Sequence, residues 1–252
     1  MSEITKLFEP GQIGRLSIRN RIAMAPMGII GLTEPDGRIS QRGIDYYAQR
    51  AKGGVGLIIS GVCFPTLEIE FGPALESGTT DLFRADSPKV IPRLKELAET
   101  VHNYGAKIAI QLTAGFGRVI SPLLLRTGLE NVAPSALPNV WDLRITTREL
   151  TTEEVDRLVR SFGTAAEIVA EAGIDAIELH GHEGYMMDQF ITSLWNKRTD
   201  KYGGDLDGRL RFVLEVVENI KNKVGRDFPV IFRYAIKHYI DCLLYTSPSP
   251  RD

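Results

Sequence analysis

Five short β-rich apolar runs, separated by amphipathic helical patterns, constrain this chain more than any other feature. The runs fall at residues 21–26, 55–60, 107–112, 175–180 and 229–234, and the helical patterns at 41–52, 88–104, 152–172 and 208–224. Repeated βα units of this kind build a parallel sheet with helices packed outside it. The string GQIGRLSIRN ahead of the first run reads as a hairpin or lid closing the bottom of a barrel. Thr151 followed by Glu154 forms a capping box for the third helical pattern. A doubly wound dinucleotide fold is the competing arrangement, but no strand leads into a G-x-G-x-x-G at a helix start. Polar residues instead fall repeatedly where a strand ends, as in a (β/α)8 TIM barrel. The expected fold is therefore α/β, an incomplete (β/α)8 barrel with about five of the eight units. The connections 62–87 and 113–150 far exceed ordinary loop lengths, which marks them as functional or flexible.

Composition narrows the function. With 252 residues, 43% of them hydrophobic, and a net charge of −2, the chain suits one large globular domain and lacks the basic footprint of a nucleic-acid binder. Cys63 and Cys242 cannot form a disulfide framework or a four-ligand zinc site by themselves. The start MSEITKLFEP has no secretory character and no apolar run is long enough to span a bilayer, so the expectation is a cytoplasmic protein with neither membrane nor nucleic acid as partner.

The densest chemistry lies in ELHGHEGYMMDQFITSLWNKRTDKYGG, residues 178–204, directly after the fourth run. C-terminal strand ends are where parallel α/β folds build active sites. His180, His182 and Tyr185 are its candidates. The two His also suggest a metal, but no third and fourth ligands stand out. Gln111 ends an apolar strand and so needs a hydrogen-bond partner. Arg233 is a charge inside an apolar strand and so must face a ligand or a buried acid, Glu178 being one such acid.

These motifs together resemble the flavin-dependent old yellow enzyme family, in particular its enoate reductase and 2,4-dienoyl-CoA reductase branch. E-G-Y at 183–185 is followed by N-K-R-T-D-K-Y-G-G at 196–204, and N-R-I-A-M-A-P-M at 20–27 matches the family's first strand end. The resemblance implies an FMN cofactor beside Pro26, Met27 and Gly28, with Gly61 at a flavin-facing turn. Gln111 would pair with the flavin pyrimidine, and Arg233 would lie against its N1 and C2 carbonyl edge, favouring the anionic reduced form. Gly28 stands where many relatives carry Cys, Thr or His, and the usual L-x-H-x-G-R is replaced after Gln111 by Thr113-Ala114-Gly115-Phe116-Gly117-Arg118. Tyr185 is the implied proton donor, hydride coming from flavin N5. In the family pattern H-x-x-[HN]-G-Y, which grips a substrate oxygen, His180 takes the first position and Glu183 the second. Residues 196–204 are expected to form a structural loop.

The implied reaction is reduction of an activated C=C bond in a small α,β-unsaturated substrate, an enoate or enoyl thioester, with electrons from NAD(P)H. Alternatives are a same-fold flavin amine dehydrogenase, a flavin-free barrel lyase using Lys237, and a non-catalytic scaffold without flavin. Larger relatives append an iron-sulfur cluster and an FAD/NAD(P)H domain after the barrel, and the resemblance allows both beyond this chain, as it allows a homo-oligomer. Residues 242–252, CLLYTSPSPRD, resemble a translated sequencing adapter, so the barrel part is expected to occupy 1–241 and the tail to be non-native. Without the last strands, whose loops usually bind the phosphate, the isolated chain is expected to be inactive and to bind FMN weakly or not at all.

Overall fold

The structure, a computed structural model, describes residues 5–72, 82–126 and 129–235. The expected tail at 242–252 and Lys237 lie outside the described residues. The chain opens with a hairpin, β1 (Gly11–Ile13) and β2 (Leu16–Ile18), paired antiparallel as the string GQIGRLSIRN suggests. Then follow β3 (Ala23–Met24), α1 (Gln41–Lys52), β4 (Leu57–Cys63), the short α2 (Glu68–Phe71), α3 (Ile91–Asn103) and β5 (Lys107–Leu112). The long connection after β5 carries α4 (Pro122–Leu125) and a small parallel pair, β6 (Val132–Ala133) with β7 (Arg148–Glu149). Next come α5 (Thr152–Glu171), β8 (Ala176–Gly181), α6 (Met186–Ile191), α7 (Leu206–Val224) and β9 (Val230–Tyr234).

Among the described residues the central sheet has five strands in the order β3-β4-β5-β8-β9, all parallel, which is the expected half-barrel. Its strands read as nearly continuous apolar runs because both faces are covered. Outward residues Ile58, Ile108, Ile110, Ile177 and Leu179 join the main core with Leu94, Leu97, Phe162 and Phe212 from the flanking helices. Inward residues Leu57, Ile59, Ala109 and Ala176 form a second cluster with Ile18 of the hairpin, so the hairpin plugs the bottom of the curl. The capping box holds α5 as expected: Glu154 N–H donates to Thr151 Oγ1, and Thr151 N–H donates to Glu154 Oε2.

Two strands differ from their expected bounds by more than one residue. The first extends over Ala23–Met24 only, and among the described residues it pairs with β4 alone. The second runs on to Cys63, and its register against β5 shifts between Ile59 and Val62. Gly61 thus lies within a bulged strand rather than after it, and the bulge bends the strand end that it occupies.

The loop at 196–204 is the structural clamp that its sequence implies. The buried Arg198 donates to the carbonyls of Pro134 and Leu150 and pairs with Asp200, tying the long connection after β5 to the end of α6. Its guanidinium holds the Asp200 carboxyl down at about 2. Arg198→Ala should destabilise the fold by about 3–5 kcal/mol, because it strands buried carbonyls and an acid. Arg198→Lys should recover only part of this, since an ammonium cannot reproduce the fork. Urea unfolding of the three proteins measures both effects.

Candidate active site

Side-chain alternation along the strands puts Gln111 of β5 and Glu178 and His180 of β8 on the inner face, above the apolar plug. All three are buried. Gln111 and Glu178 are register partners, and Gln111 Nε2 donates to Glu178 Oε1 at 2.7 Å. One layer further up, His180 is the register partner of Arg233 on β9. Burial raises the Glu178 carboxyl, against which the Gln111 hydrogen bond and the Arg233 charge act. Burial also drives the His180 imidazole down to about 4, so it is neutral at ordinary pH. Among the described residues its Nδ1 is buried without a hydrogen-bond partner. A buried polar atom left unpaired is costly, which marks a site open to a ligand.

The opposite side of the mouth is built from β3 and β4. Gly61 N–H donates to the Tyr47 hydroxyl of α1 at 2.9 Å, and a Cβ at Gly61 would collide with the Met27 carbonyl oxygen, so glycine permits the two strand ends to touch. Ser60 Oγ accepts from Gln111 N–H, which links this side to the polar layer. Beyond the strand, Pro26 is half-buried, and Met27 and Gly28 are exposed, with open space where a Gly28 side chain would stand.

After β8 the chain turns sharply. Glu183 takes φ 62° and Gly184 φ 76°, the former an unusual conformation for a residue with a side chain. Gly184 N–H is caught by Asp188 Oδ2 at 2.8 Å. The turn brings Tyr185 back over the strand end, its ring centroid 4.5 Å from that of His180 and 6.0 Å from that of Phe116. Burial, then the nearby Glu183 charge, raise the Tyr185 hydroxyl above its ordinary value. His182 is half-buried and stands 3.2 Å from the exposed Glu183 carboxylate.

The polar layer, the neutral His180 and the Tyr185 hydroxyl thus converge at the C-terminal mouth of a parallel half-barrel. The sequence model of the NADH:flavin oxidoreductase / NADH oxidase family matches residues 6–244. The chain belongs to that family. It is 48% identical over 237 residues to the cinnamate reductase of Clostridium sporogenes, covering 93% of this chain and 35% of that protein. It is 42% identical to the NADH oxidase of Thermoanaerobacter brockii, covering 96% of this chain and 36% of that protein. The chain therefore spans about a third of the length of these curated relatives. Among solved structures it is similar to the Old Yellow Enzyme of a Pichia species, with a TM-score of 0.77 and 30% identity over 91% of this chain and 59% of that one. This likeness agrees with a TIM barrel of which the described strands are part.

Of the residues expected from the sequence, those on the strands fall into one connected set. Met27 touches Gly61, Ser60 joins Gly61 to Gln111, Gln111 joins Glu178, and the β8–β9 register sets His180 beside Arg233. His182 stands apart from the polar layer, on the turn. The orphaned His180 Nδ1 and the open ground at Gly28 fit a planar polar cofactor in this mouth. Glu70, Gln189 and Asp188 are buried residues here that sequence reading missed, because an acid or amide within an apolar helix gives no periodic signal. Among the described residues no group of three or more His, Cys, Asp or Glu could hold a metal, and no helix is long and apolar enough to cross a membrane.

Burial of the His180 imidazole makes the stability of the fold depend on pH. The unfolded chain takes up a proton near pH ~6.5 and the folded site only near pH 4, so stability is lost as pH falls through that interval. Up to about 3 kcal/mol should disappear between pH ~7 and pH ~4. His180→Gln should remove that part of the pH dependence, as read from urea midpoints across the interval.

Proposed function

We propose that the protein carrying this chain is an FMN-dependent oxidoreductase that reduces activated C=C bonds, in enoates or enoyl thioesters, with electrons from NAD(P)H. The observation that carries this reading is the juxtaposition of a protonated Tyr185 with the buried, neutral His180 at the mouth of the half-barrel. Family membership and the likeness to a cinnamate reductase support it. When bound, FMN supplies the hydride, which NAD(P)H replenishes.

The residues of this chain have separable tasks in that reaction. Tyr185 holds a proton at neutral pH, because burial and the Glu183 charge both oppose its ionisation. It delivers that proton to the carbon alpha to the substrate carbonyl, while the β carbon takes the hydride. The saturated product thus gains one hydride and one proton. Neutral His180 offers hydrogen bonding to the carbonyl oxygen without bringing a net charge that would have to be desolvated. Gln111, Gly61, Pro26, Met27 and Gly28 would hold the flavin, and Arg233 would place a positive charge at the edge where the reduced ring becomes anionic. His182 takes a supporting place on the turn rather than in the polar layer. The phosphate would be held by loops after the later strands, so the full-length protein is the one to assay.

Tyr185→Phe should slow alkene-driven reoxidation of the reduced, full-length protein by about 10²–10⁴-fold, while reduction by NAD(P)H keeps its rate. Stopped-flow absorbance separates the two half-reactions. A full-length protein that purifies and reconstitutes without flavin, or a Phe variant that reduces enoates at the parental rate, overturns the reading.

A further inference from the structure

Glu70 is a buried acid on the short helix α2, far in sequence from the site and with no task in the proposed reaction. Its carboxylate oxygens each accept a backbone N–H, Oε2 from Phe116 at 3.0 Å and Oε1 from Gly117 at 2.8 Å. Gly115, at φ +115°, leaves room for the carboxyl group, which a Cβ there would strike. The turn so held is tied in its place to the segment that carries Tyr185. Gln189 of α6 accepts from Arg118 N–H at 3.2 Å and donates to the carbonyls of Phe116 and Gly184. Met186 N–H donates to the Gly115 carbonyl at 3.2 Å. The Phe116 ring lies beside the Tyr185 ring.

We propose that Glu70 is a positioning residue for proton delivery: its carboxyl group clamps the Phe116–Gly117 backbone, and through Gln189 that clamp sets the Gly184–Tyr185 turn. The inference rests on the reading of Tyr185 as proton donor, but the linkage itself is a property of the fold. An acid is used because only a carboxylate presents two acceptor oxygens to two adjacent N–H groups. A Gln in its place must turn its own NH2 toward one of them. Burial pushes the Glu70 carboxyl up to about 7, and the two N–H groups work against that shift by favouring the charged form. A buried acid held this way costs the fold something, which is reasonable only where the geometry it imposes is used.

The test uses the full-length protein, its Glu70→Gln variant and its Gln189→Met variant. Backbone amide hydrogen exchange is the first readout and requires neither flavin nor substrate. Glu70→Gln should speed exchange at Phe116, Gly117, Gly184 and Tyr185 and leave α1 and α3 unchanged. Gln189→Met should speed it at Gly184 and Tyr185 while Glu70 still protects Phe116 and Gly117. The second readout is the split between half-reactions. Glu70→Gln should lower alkene-driven reoxidation by about tenfold to a hundredfold and spare NAD(P)H-driven reduction, as expected of a misplaced donor. Faster exchange confined to Phe116 and Gly117, unchanged exchange throughout, or equal losses in both half-reactions each overturn the proposal. Absence of alkene reductase activity in the parent would sink the functional reading and leave the exchange result to decide the linkage. If Glu70→Gln fails to fold, Gln189→Met alone decides: unchanged exchange at Gly184 and Tyr185 rejects the linkage.

Discussion

The hydrogen bond from Gln111 to Glu178 is the contact around which the site is organised. It closes the inner face of the half-barrel where the apolar plug ends, and it can form only because β5 and β8 pair in the register that sets the two residues opposite each other. A slip of either strand by one residue would turn its own polar side chain into the helix-facing core and expose its neighbour, Leu112 or Leu179, inside the curl. The same register fixes His180 one layer higher and, through β9, Arg233 beside it. Functional geometry and core packing are therefore two faces of a single pairing pattern, and neither can change alone.

That layer also sets the electrostatics. Glu178 and His180 are both buried, and burial penalises the charged form of each, raising the acid and lowering the base. Arg233 opposes the first shift and adds to the second. The result is a site whose imidazole is neutral, whose Tyr keeps its proton and whose positive charge sits at the rim on the half-buried β9. Such a distribution suits a reaction in which negative charge appears on a ring edge and a proton is spent elsewhere.

Much of this was legible in the sequence because strands of a parallel sheet are written as apolar runs and helices as amphipathic ones. The bounds of β5, α1 and the capping box at Thr151 and Glu154 came through closely. The bulge in β4 did not, since Val62 and Cys63 continue an apolar run whether or not the register shifts. Long-range hydrogen bonds were equally invisible. Glu70 reaches Phe116 and Gly117 across more than 40 residues, and Gln189 reaches Phe116 across 73. No local period records such a pairing. The acid at position 183 illustrates the reverse case. Its motif position is legible, whereas its left-handed backbone at φ 62° is not, because that conformation is imposed by the turn and by Asp188.

That turn explains how a short motif can place Tyr185. Leaving β8 at Gly181, the chain has only three residues in which to reverse and bring Tyr185 over His180. Two successive left-handed residues accomplish the reversal, and for Glu183 the strain is of order 1–3 kcal/mol. The strain persists because Asp188 and Gln189 hold Gly184 from the following helix, and Gln189 is held in turn by the Phe116–Arg118 backbone. Glu183 itself ends exposed, beside His182. From there its charge reaches both rings of the site, opposing ionisation of the Tyr185 hydroxyl and partly offsetting the burial that lowers His180.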